Sequence, residues 1–205
     1  MKSLELNFSI GKMPIYSDYQ IESEPTFFAC SYEFLLKNGG PISISFLELL
    51  FQERPDIDKS KIIFDTKSSK LEQGWYAGAP GWHQDGAVWN EPDTQYALGL
   101  IDENICLTEF LEGDVVFKTS ETSFNNKLER DSAFELEVDA LIERKQLQAV
   151  TALHRQITYF NAYTVHRCTP AIKAGWRWRC RATWNTARAY ENRIIKPHAY
   201  GIKRE

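Results

Sequence analysis

Hydrophobic residues recur at two different periods along the chain, and the change of period separates a helical first part from a strand-rich second part. Residues 4–10 alternate apolar and polar side chains, which is the period of a half-buried strand. Residues 27–36 have apolar side chains at helical spacing and run into the Gly-Gly-Pro sequence at 39–41, which predicts a helix end. A second helix is predicted over 42–52, although the first half of this segment also has the composition of a strand.

From residue 61 onward, short apolar runs alternate with polar and turn residues. Strands are predicted at 62–64, 96–101, 105–111, 114–118, 147–153, 156–161, 165–171 and 176–184. The first of these strands is predicted to end before the polar residues 67–70. A polar loop over 119–133 is predicted to lead into a short surface helix over 134–146.

The order of these elements favours a β-barrel. Many short strands at intervals of about 8–12 residues, separated by Gly- and Pro-rich turns, are typical of jelly rolls and barrels. The helices precede the strands instead of alternating with them, so a doubly wound parallel sheet is disfavoured. We expect a mainly β fold with N-terminal helices, namely a double-stranded β-helix of the jelly-roll, cupin-like type.

Length and composition predict one domain with a substantial core. The 205 residues have room for a single domain over 1–205, in which we expect helical support over about 1–60, the barrel core over about 61–188 and a tail over 189–205. With 43% hydrophobic and 13% aromatic residues, the chain can bury a large apolar core, so disorder is disfavoured.

Charge and cysteine spacing narrow the function classes further. A formal charge of −4 and an isoelectric point near 5.7 give no electrostatic reason to expect nucleic acid or a membrane surface as a partner. The four cysteines have no C-x-x-C spacing, so we expect reduced thiols instead of a zinc knuckle or a disulfide framework. Since the N-terminus has no apolar signal segment and no window resembles a membrane span, we expect a cytoplasmic protein. The sequence does not indicate an oligomeric state.

Three residues have the types and spacing of a metal site. A Gly- and Pro-rich loop at 78–81 leads to His83 and Asp85, which are two positions apart and leave the same face of an extended strand end. His166 follows after four or five predicted strands, about the number that would return the chain to the first pair. Two imidazoles and one carboxylate on one face of a metal leave the other positions open, as in the facial triad of non-haem Fe(II) oxygenases.

The strand predicted at 176–184 has two different faces. One face carries Arg177, Arg179, Arg181 and Thr183, and the other carries Trp176, Trp178, Cys180, Ala182 and Trp184. The apolar face must pack against another layer, so the arginine face borders either solvent or the barrel interior. Three arginines inside a barrel require anions to neutralise them, and a dicarboxylate suits the planar fork of a guanidinium.

These motifs together resemble the Fe(II)/2-oxoglutarate-dependent oxygenase superfamily. The pattern His83-x-Asp85, His166 and Gly175-x-Arg177 resembles its motif set, and residues 82–85 are similar to the phytanoyl-CoA hydroxylase branch. The resemblance implies that His83, Asp85 and His166 bind Fe(II). It also implies that Arg177 pairs with the far carboxylate of 2-oxoglutarate.

A second arginine fits the superfamily pattern as well. Arg181 and Thr183 form an Arg-x-Ser/Thr pair, the other place where the superfamily puts the cosubstrate contact, so Arg181 ranks after Arg177. The spacing from His166 to these two arginines is also similar to the taurine dioxygenase branch, in which the second arginine meets an anionic substrate. Most of residues 38–188 resembles a group of small phage and bacterial proteins of unassigned function.

The resemblance implies a dioxygenase that uses O2 and 2-oxoglutarate to hydroxylate a substrate, with release of succinate and CO2. We expect a small-molecule substrate, and candidates for contacting it are Trp75, Tyr76, Trp82, Trp89 and Arg179. Core packing explains these aromatic residues almost as well, and Arg179 could instead face solvent. Gln73 and Asn161 are candidate hydrogen-bond donors to the cosubstrate, whereas His154 and His198 are expected to be structural.

Two other functions remain open at the level of the sequence. The first is a cupin-like metal enzyme that does not use 2-oxoglutarate, although such sites usually recruit more histidines than the four in this chain. The second is a non-catalytic β-barrel protein that holds an anionic ligand on its arginine face. The primary substrate itself is not indicated, because specificity depends on loops.

Overall fold

The computed structural model describes residues 2–3, 6–85, 91–102, 105–115, 117–118 and 127–195. The helices in these ranges are α1 (Asp18–Ser23), α2 (Tyr32–Asn38), α3 (Pro41–Glu53) and α4 (Lys127–Glu143), with a 3-10 turn at Lys59–Lys61. The first six strands are β1 (Lys2–Ser3), β2 (Asn7–Phe8), β3 (Thr26–Phe28), β4 (Ile63–Leu71), β5 (Gln95–Ile101) and β6 (Thr108–Glu112). The others are β7 (Asp114–Val115), β8 (Gln148–Thr151), β9 (Ile157–Asn161), β10 (His166–Cys168), β11 (Gly175–Trp184) and β12 (Arg193–Ile195).

Two antiparallel sheets carry most of the strands. The larger sheet has five strands in the order β2-β9-β5-β11-β4, and the smaller has three in the order β10-β6-β8. An isolated antiparallel bridge between His83 and His166 extends the smaller sheet beyond β10. The shorter pairs are β1 with β7 and β12 with β3. The mainly β class with N-terminal helices is thus confirmed.

The main core lies between α3 and the apolar face of β11. Trp178 is fully buried, and its ring lies 6.1 Å from that of Phe46 on α3. Phe46 also meets Phe64 on β4 edge to face, at 6.5 Å between ring centroids. Gly99 on β5 permits this close approach, because a Cβ there would lie 2.5 Å from the Phe46 ring. The apolar side of β11 therefore packs against the N-terminal helices, as its alternation predicted.

Three predicted boundaries are wrong. The helix predicted at 27–36 begins only at Tyr32, because β3 pairs with β12 and Ser31 then caps α2 by accepting a hydrogen bond from the Phe34 amide at 3.2 Å. The strand predicted to end before residues 67–70 instead includes them as the second half of β4, which pairs with β11 along its whole length. Helix α4 begins at Lys127, inside the predicted loop, and residues 119–126 of that loop lie outside the described ranges.

Two other expectations concern helices and thiols. Among the helices of the described ranges, none is both long and apolar enough to cross a membrane. All four cysteines are free thiols, as expected.

The N-terminus of α3 is capped by a buried carboxylate from outside the helix. Glu24 is 1% exposed, and its two oxygens accept hydrogen bonds from the amides of Ile42 at 3.2 Å and Ser43 at 2.8 Å. These amides have no partner within the helix, and the positive end of the helix dipole favours a negative charge there. Glu24 therefore supports the element that carries Phe46.

Replacing Glu24 should destabilise the fold. In Glu24→Ala the two amides lose their acceptor, so we expect the free energy of unfolding to fall by about 2 kcal/mol, and by less in Glu24→Gln, which keeps one acceptor oxygen. Urea denaturation followed by tryptophan fluorescence measures this difference. The control is Glu22→Ala at an exposed position of α1, and equal stability of the Glu24→Ala and Glu22→Ala variants would contradict the capping role.

Candidate metal centre

The structure brings His83, Asp85 and His166 together at the edge of the smaller sheet. The His83 amide donates to the His166 carbonyl at 3.0 Å, and the His166 amide donates to the His83 carbonyl at 2.9 Å. This reciprocal pair places the two imidazole rings 4.4 Å apart. With Asp85 two residues along the chain, one nitrogen or oxygen atom from each side chain lies within 4.8 Å of the other two.

The orientation of both imidazoles suits metal binding. Nδ1 of His83 lies 2.8 Å from the Gly81 carbonyl oxygen, and Nδ1 of His166 lies 3.1 Å from that of Thr164. A carbonyl oxygen only accepts hydrogen bonds, so Nδ1 carries the proton in each ring, and Nε2 keeps its lone pair for a metal. Burial lowers the pKa of His166 to about 4, which keeps its ring neutral at neutral pH. The two imidazoles and the carboxylate therefore fit a divalent transition metal.

Helix α4 and strand β10 support the segment that carries His83. The Trp82 indole donates from Nε1 to Oδ1 of Asp139 on α4 at 3.2 Å. The Arg167 guanidinium lies 4.1 Å from the Trp82 ring centroid and donates to Glu109 at 2.8 Å. These contacts hold Trp82 from both sides, so the histidine next to it has a fixed backbone. Trp82 thus packs in an apolar cluster with α4.

A cavity of about 100 Å³ adjoins the three candidate ligands. The side chains around it include His83, Asp85, Leu98, Thr108, Phe160, His166, Cys168, Arg177, Arg179 and Arg181, and residues 77–79 complete the wall. The arginine face of β11 therefore borders this cavity, which rules out the alternative that Arg179 simply faces solvent.

Arg177 and Arg181 each have acidic partners. Arg177 is 3% exposed, with its Nε 3.4 Å from Asp102 Oδ2, and it donates to Thr108 Oγ1 at 2.8 Å. Arg181 Nη1 lies 3.3 and 3.2 Å from the two oxygens of Asp85, and Nη2 lies 3.4 Å from Asp65 Oδ2. One guanidinium is thus balanced deep in the cavity and the other beside the candidate metal ligands.

Arg179, between these two, is different. Among the described residues no acidic group forms an ion pair with it, and its buried Nε has no hydrogen-bond partner there. Its direct cross-strand neighbour on β4 is Lys67. Burial lowers the pKa of Arg179, and the positive charges of Arg181 and Arg177 also lower it. The pKa of Lys67 is lowered by burial and by the positive charges of Arg179 and Arg177. Like charges at directly opposite positions repel, so this part of the cavity attracts an anion.

A thiol also borders the arginines. The hydrogen bond with Cys106, followed by the charges of Arg177 and Arg179, lowers the pKa of Cys168 to about 5 against the effect of burial. Gly78 allows the segment at residues 77–79 to lie close to Cys168, since a Cβ at this position would be 2.9 Å from the Cys168 sulfur.

Several predicted site residues lie away from this cavity. Thr183 is 4% exposed, and its Oγ1 has no hydrogen-bond partner among the described residues. Trp75 packs against an apolar cluster that contains Leu71 and Ile105, and neither Trp75 nor Tyr76 is among the described cavity residues. Trp89 and His198 lie outside the described ranges.

The remaining candidates have structural roles or no described contact with the cavity. Asn161 accepts a hydrogen bond from the Tyr163 amide at 2.9 Å and stabilises a turn, and neither Asn161 nor Gln73 is among the described cavity residues. His154 accepts a hydrogen bond from the Asp102 amide at 3.1 Å, in agreement with the structural role expected for it.

Sequence reasoning missed the contribution of β4. Asp65, Lys67 and Ser69 alternate along this strand and lie directly opposite Arg181, Arg179 and Arg177. A signal was present, because polar residues at every second position mirror the alternation of β11. It was obscured by Ser68 and Lys70, which make the segment look like a polar turn.

Removing one imidazole should abolish metal binding. We expect His166→Ala to bind Co²⁺ at least about 100-fold more weakly than the unmodified protein. The reason is that the substitution removes a metal ligand and not a residue that only hydrogen-bonds to a ligand. Isothermal titration of the metal-free protein with Co²⁺ measures the affinity. The control His154→Gln changes a histidine outside the trio, and equal metal affinity in the unmodified protein and His166→Ala would show that these residues do not form the site.

Neither a protein-family model nor a curated protein matches this chain. Among similar solved structures is SnoK, a non-haem α-ketoglutarate-dependent carbocyclase from nogalamycin biosynthesis, with 10% identity and a TM-score of 0.43 over 84% of this chain and 68% of SnoK. HygX from Streptomyces hygroscopicus with iron bound has 10% identity and a TM-score of 0.43, over 92% of this chain and 85% of HygX. HygX with nickel, 2-oxoglutarate and hygromycin B bound has 12% identity and a TM-score of 0.41, over 92% and 86%.

Proposed function

We propose that this chain is an Fe(II)- and 2-oxoglutarate-dependent oxygenase that hydroxylates a small molecule. The observation that carries the proposal is the convergence of two imidazoles and one carboxylate within 4.8 Å, beside a cavity with a guanidinium that has no ion-pair partner among the described residues. The metal ligands alone fit many enzymes, and the arginines alone fit an anion-binding protein. Their combination in one cavity supports a metal enzyme with an anionic cosubstrate.

The proposed architecture is a double-stranded β-helix in a single domain. Eight segments follow one another along the chain: β4, the His83 segment, β5, β6, β8, β9, β10 and β11. The larger sheet contains β4, β5, β9 and β11 of this series. The smaller sheet contains β6, β8 and β10, and the His83 segment is bridged to it. Such alternation between two facing sheets is the expected path of a jelly-roll barrel.

His83, Asp85 and His166 would hold the metal in this proposal. When bound, Fe(II) supplies the activation of O2, with 2-oxoglutarate as the reductant that leaves as succinate and CO2. The Gly81 and Thr164 carbonyls orient both imidazoles so that each Nε2 faces away from its Nδ1 hydrogen bond. Arg181 holds the Asp85 carboxylate toward the cavity, so the third ligand is also positioned in advance.

Arg179 is the best candidate to receive the far carboxylate of 2-oxoglutarate. Arg181 contacts Asp85, so its position on β11 is the one that lies beside the candidate metal ligands. Arg179 is two residues away, or about 7 Å along the strand, which is comparable to the length of a five-carbon diacid. Its charge is unpaired among the described residues, whereas that of Arg177 is already balanced by Asp102. We therefore place Arg179 ahead of Arg177 and Arg181, with Lys67 as a second cation.

The proposal predicts a specific effect of Arg179 on cosubstrate binding. In Arg179→Met we expect the affinity for 2-oxoglutarate to fall about 10- to 100-fold, because a charge-assisted contact is lost, while Co²⁺ affinity stays unchanged. Titration of the Fe(II)-loaded protein with 2-oxoglutarate under nitrogen measures binding without turnover. Arg193→Met, on exposed β12, is the matched control.

Turnover tests the enzymatic part of the proposal. Succinate should form from 2-oxoglutarate in the presence of Fe(II), ascorbate and O2, and a library of small molecules should raise its rate. A protein that binds metal and 2-oxoglutarate but forms no succinate would be an anion-binding protein. Unchanged 2-oxoglutarate affinity in Arg179→Met, with a loss in Arg177→Met, would assign the carboxylate to Arg177 instead.

A further inference from the structure

Two of the four cysteines lie on neighbouring chain segments beside the cavity. Cys168 follows His166 by two residues on β10 and borders the cavity, where it is half-buried. Cys106 is fully buried at a bend before β6, and its sulfur lies 3.0 Å from the carbonyl oxygen of Thr169, the residue that follows Cys168. Cys30 and Cys180 are buried in the main core. One thiol is therefore reachable from the cavity, and the other lies directly behind it.

The backbone holds these two sulfurs in place. Strands β10 and β6 pair so that Cys168 lies opposite Thr108. The Thr169 amide donates to the Leu107 carbonyl at 2.9 Å, and the Leu107 amide donates to Thr169 Oγ1 at 3.1 Å. The Cys106 thiol donates to the Thr169 carbonyl at 3.0 Å. Both cysteines thus belong to one hydrogen-bonded unit made of two neighbouring chain segments.

We propose that Cys106 and Cys168 form a reversible disulfide when hydrogen peroxide enters the cavity. The Cys168 sulfur attacks one peroxide oxygen, the O–O bond breaks, and the other oxygen leaves as water, so Cys168 becomes a sulfenic acid. The Cys106 sulfur then attacks the Cys168 sulfur, the S–O bond breaks, and the oxygen leaves as a second water with the thiol proton. Two thiols are oxidised to one disulfide, and one peroxide is reduced to two waters.

The arrangement separates the attacking and resolving thiols. A sulfenic acid persists or oxidises further where no second thiol is near, but here the pairing of β10 with β6 keeps Cys106 on the neighbouring segment. Closing the bond requires a sulfur–sulfur distance of about 2.05 Å, which draws β10 toward the bend that carries Cys106. Because His166 is on the same strand, we expect oxidation to lower metal affinity as well, a consequence that rests on the proposed metal site.

Mass spectrometry of the metal-free protein tests the disulfide directly. After treatment with one equivalent of hydrogen peroxide and alkylation with N-ethylmaleimide, we expect two of the four cysteines to remain unlabelled. Non-reducing proteolysis should yield a peptide that joins Cys106 to Cys168, and dithiothreitol should restore four labelled thiols. Cys30→Ser is the matched control, since it removes a buried thiol outside the pair and should leave this cross-link intact.

A second variant keeps the test decisive. In Cys106→Ser, checked for folding by its thermal transition, dimedone should label Cys168 as a sulfenic acid, and no cross-link should form. Four labelled thiols after peroxide treatment of the unmodified protein, or a cross-link through Cys30 or Cys180, would overturn the proposal. Co²⁺ titration of the oxidised protein should show an affinity about tenfold lower. A mapped cross-link with unchanged Co²⁺ affinity would support the modification site and refute its coupling to the metal.

Discussion

The candidate site depends on the reciprocal backbone hydrogen bonds between His83 and His166. Each residue donates to and accepts from the other, so two segments far apart in the chain meet in a fixed register with their side chains on one face. Asp85 follows two positions later, and the carbonyls of Gly81 and Thr164 orient the rings from within the same segments. The geometry of the donor set is therefore a property of strand pairing and not of flexible side chains.

Strand β11 connects this site to the rest of the fold. Because side chains alternate along the strand, Trp178 lies in the main core and Arg179 borders the cavity. Burial lowers the free energy of the folded state for the first side chain and raises it for the second. Burying Trp178 against Phe46 on α3 stabilises the fold, whereas taking guanidinium groups out of water costs free energy. Since neighbouring residues on a strand must face opposite sides, the favourable packing on one face holds the arginines in place on the other.

The sequence predicted those parts of the molecule that depend on local spacing. His83, Asp85 and the alternation of β11 needed only neighbouring residues and the chemistry of their side chains. The second half of β4 was not predictable in this way, because Lys67 looks like a turn residue until its pairing with Arg179 is known. The position of Cys168 opposite Thr108, two residues from Cys106, likewise follows only from the register of β6 and β10, which no local pattern specifies.

The distribution of charge in the cavity suggests why Arg179 has no acidic partner within the described part of the chain. Asp102 balances Arg177, and Asp85 with Asp65 balances Arg181, so acidic side chains accompany the arginines at both ends of the row. An acidic residue in place of Lys67, opposite Arg179, would stabilise the folded chain but would also compete with any anion that enters. The chain instead has a second cation there. Its folded state therefore keeps a local excess of positive charge among the described residues, which an anion that enters the cavity would relieve.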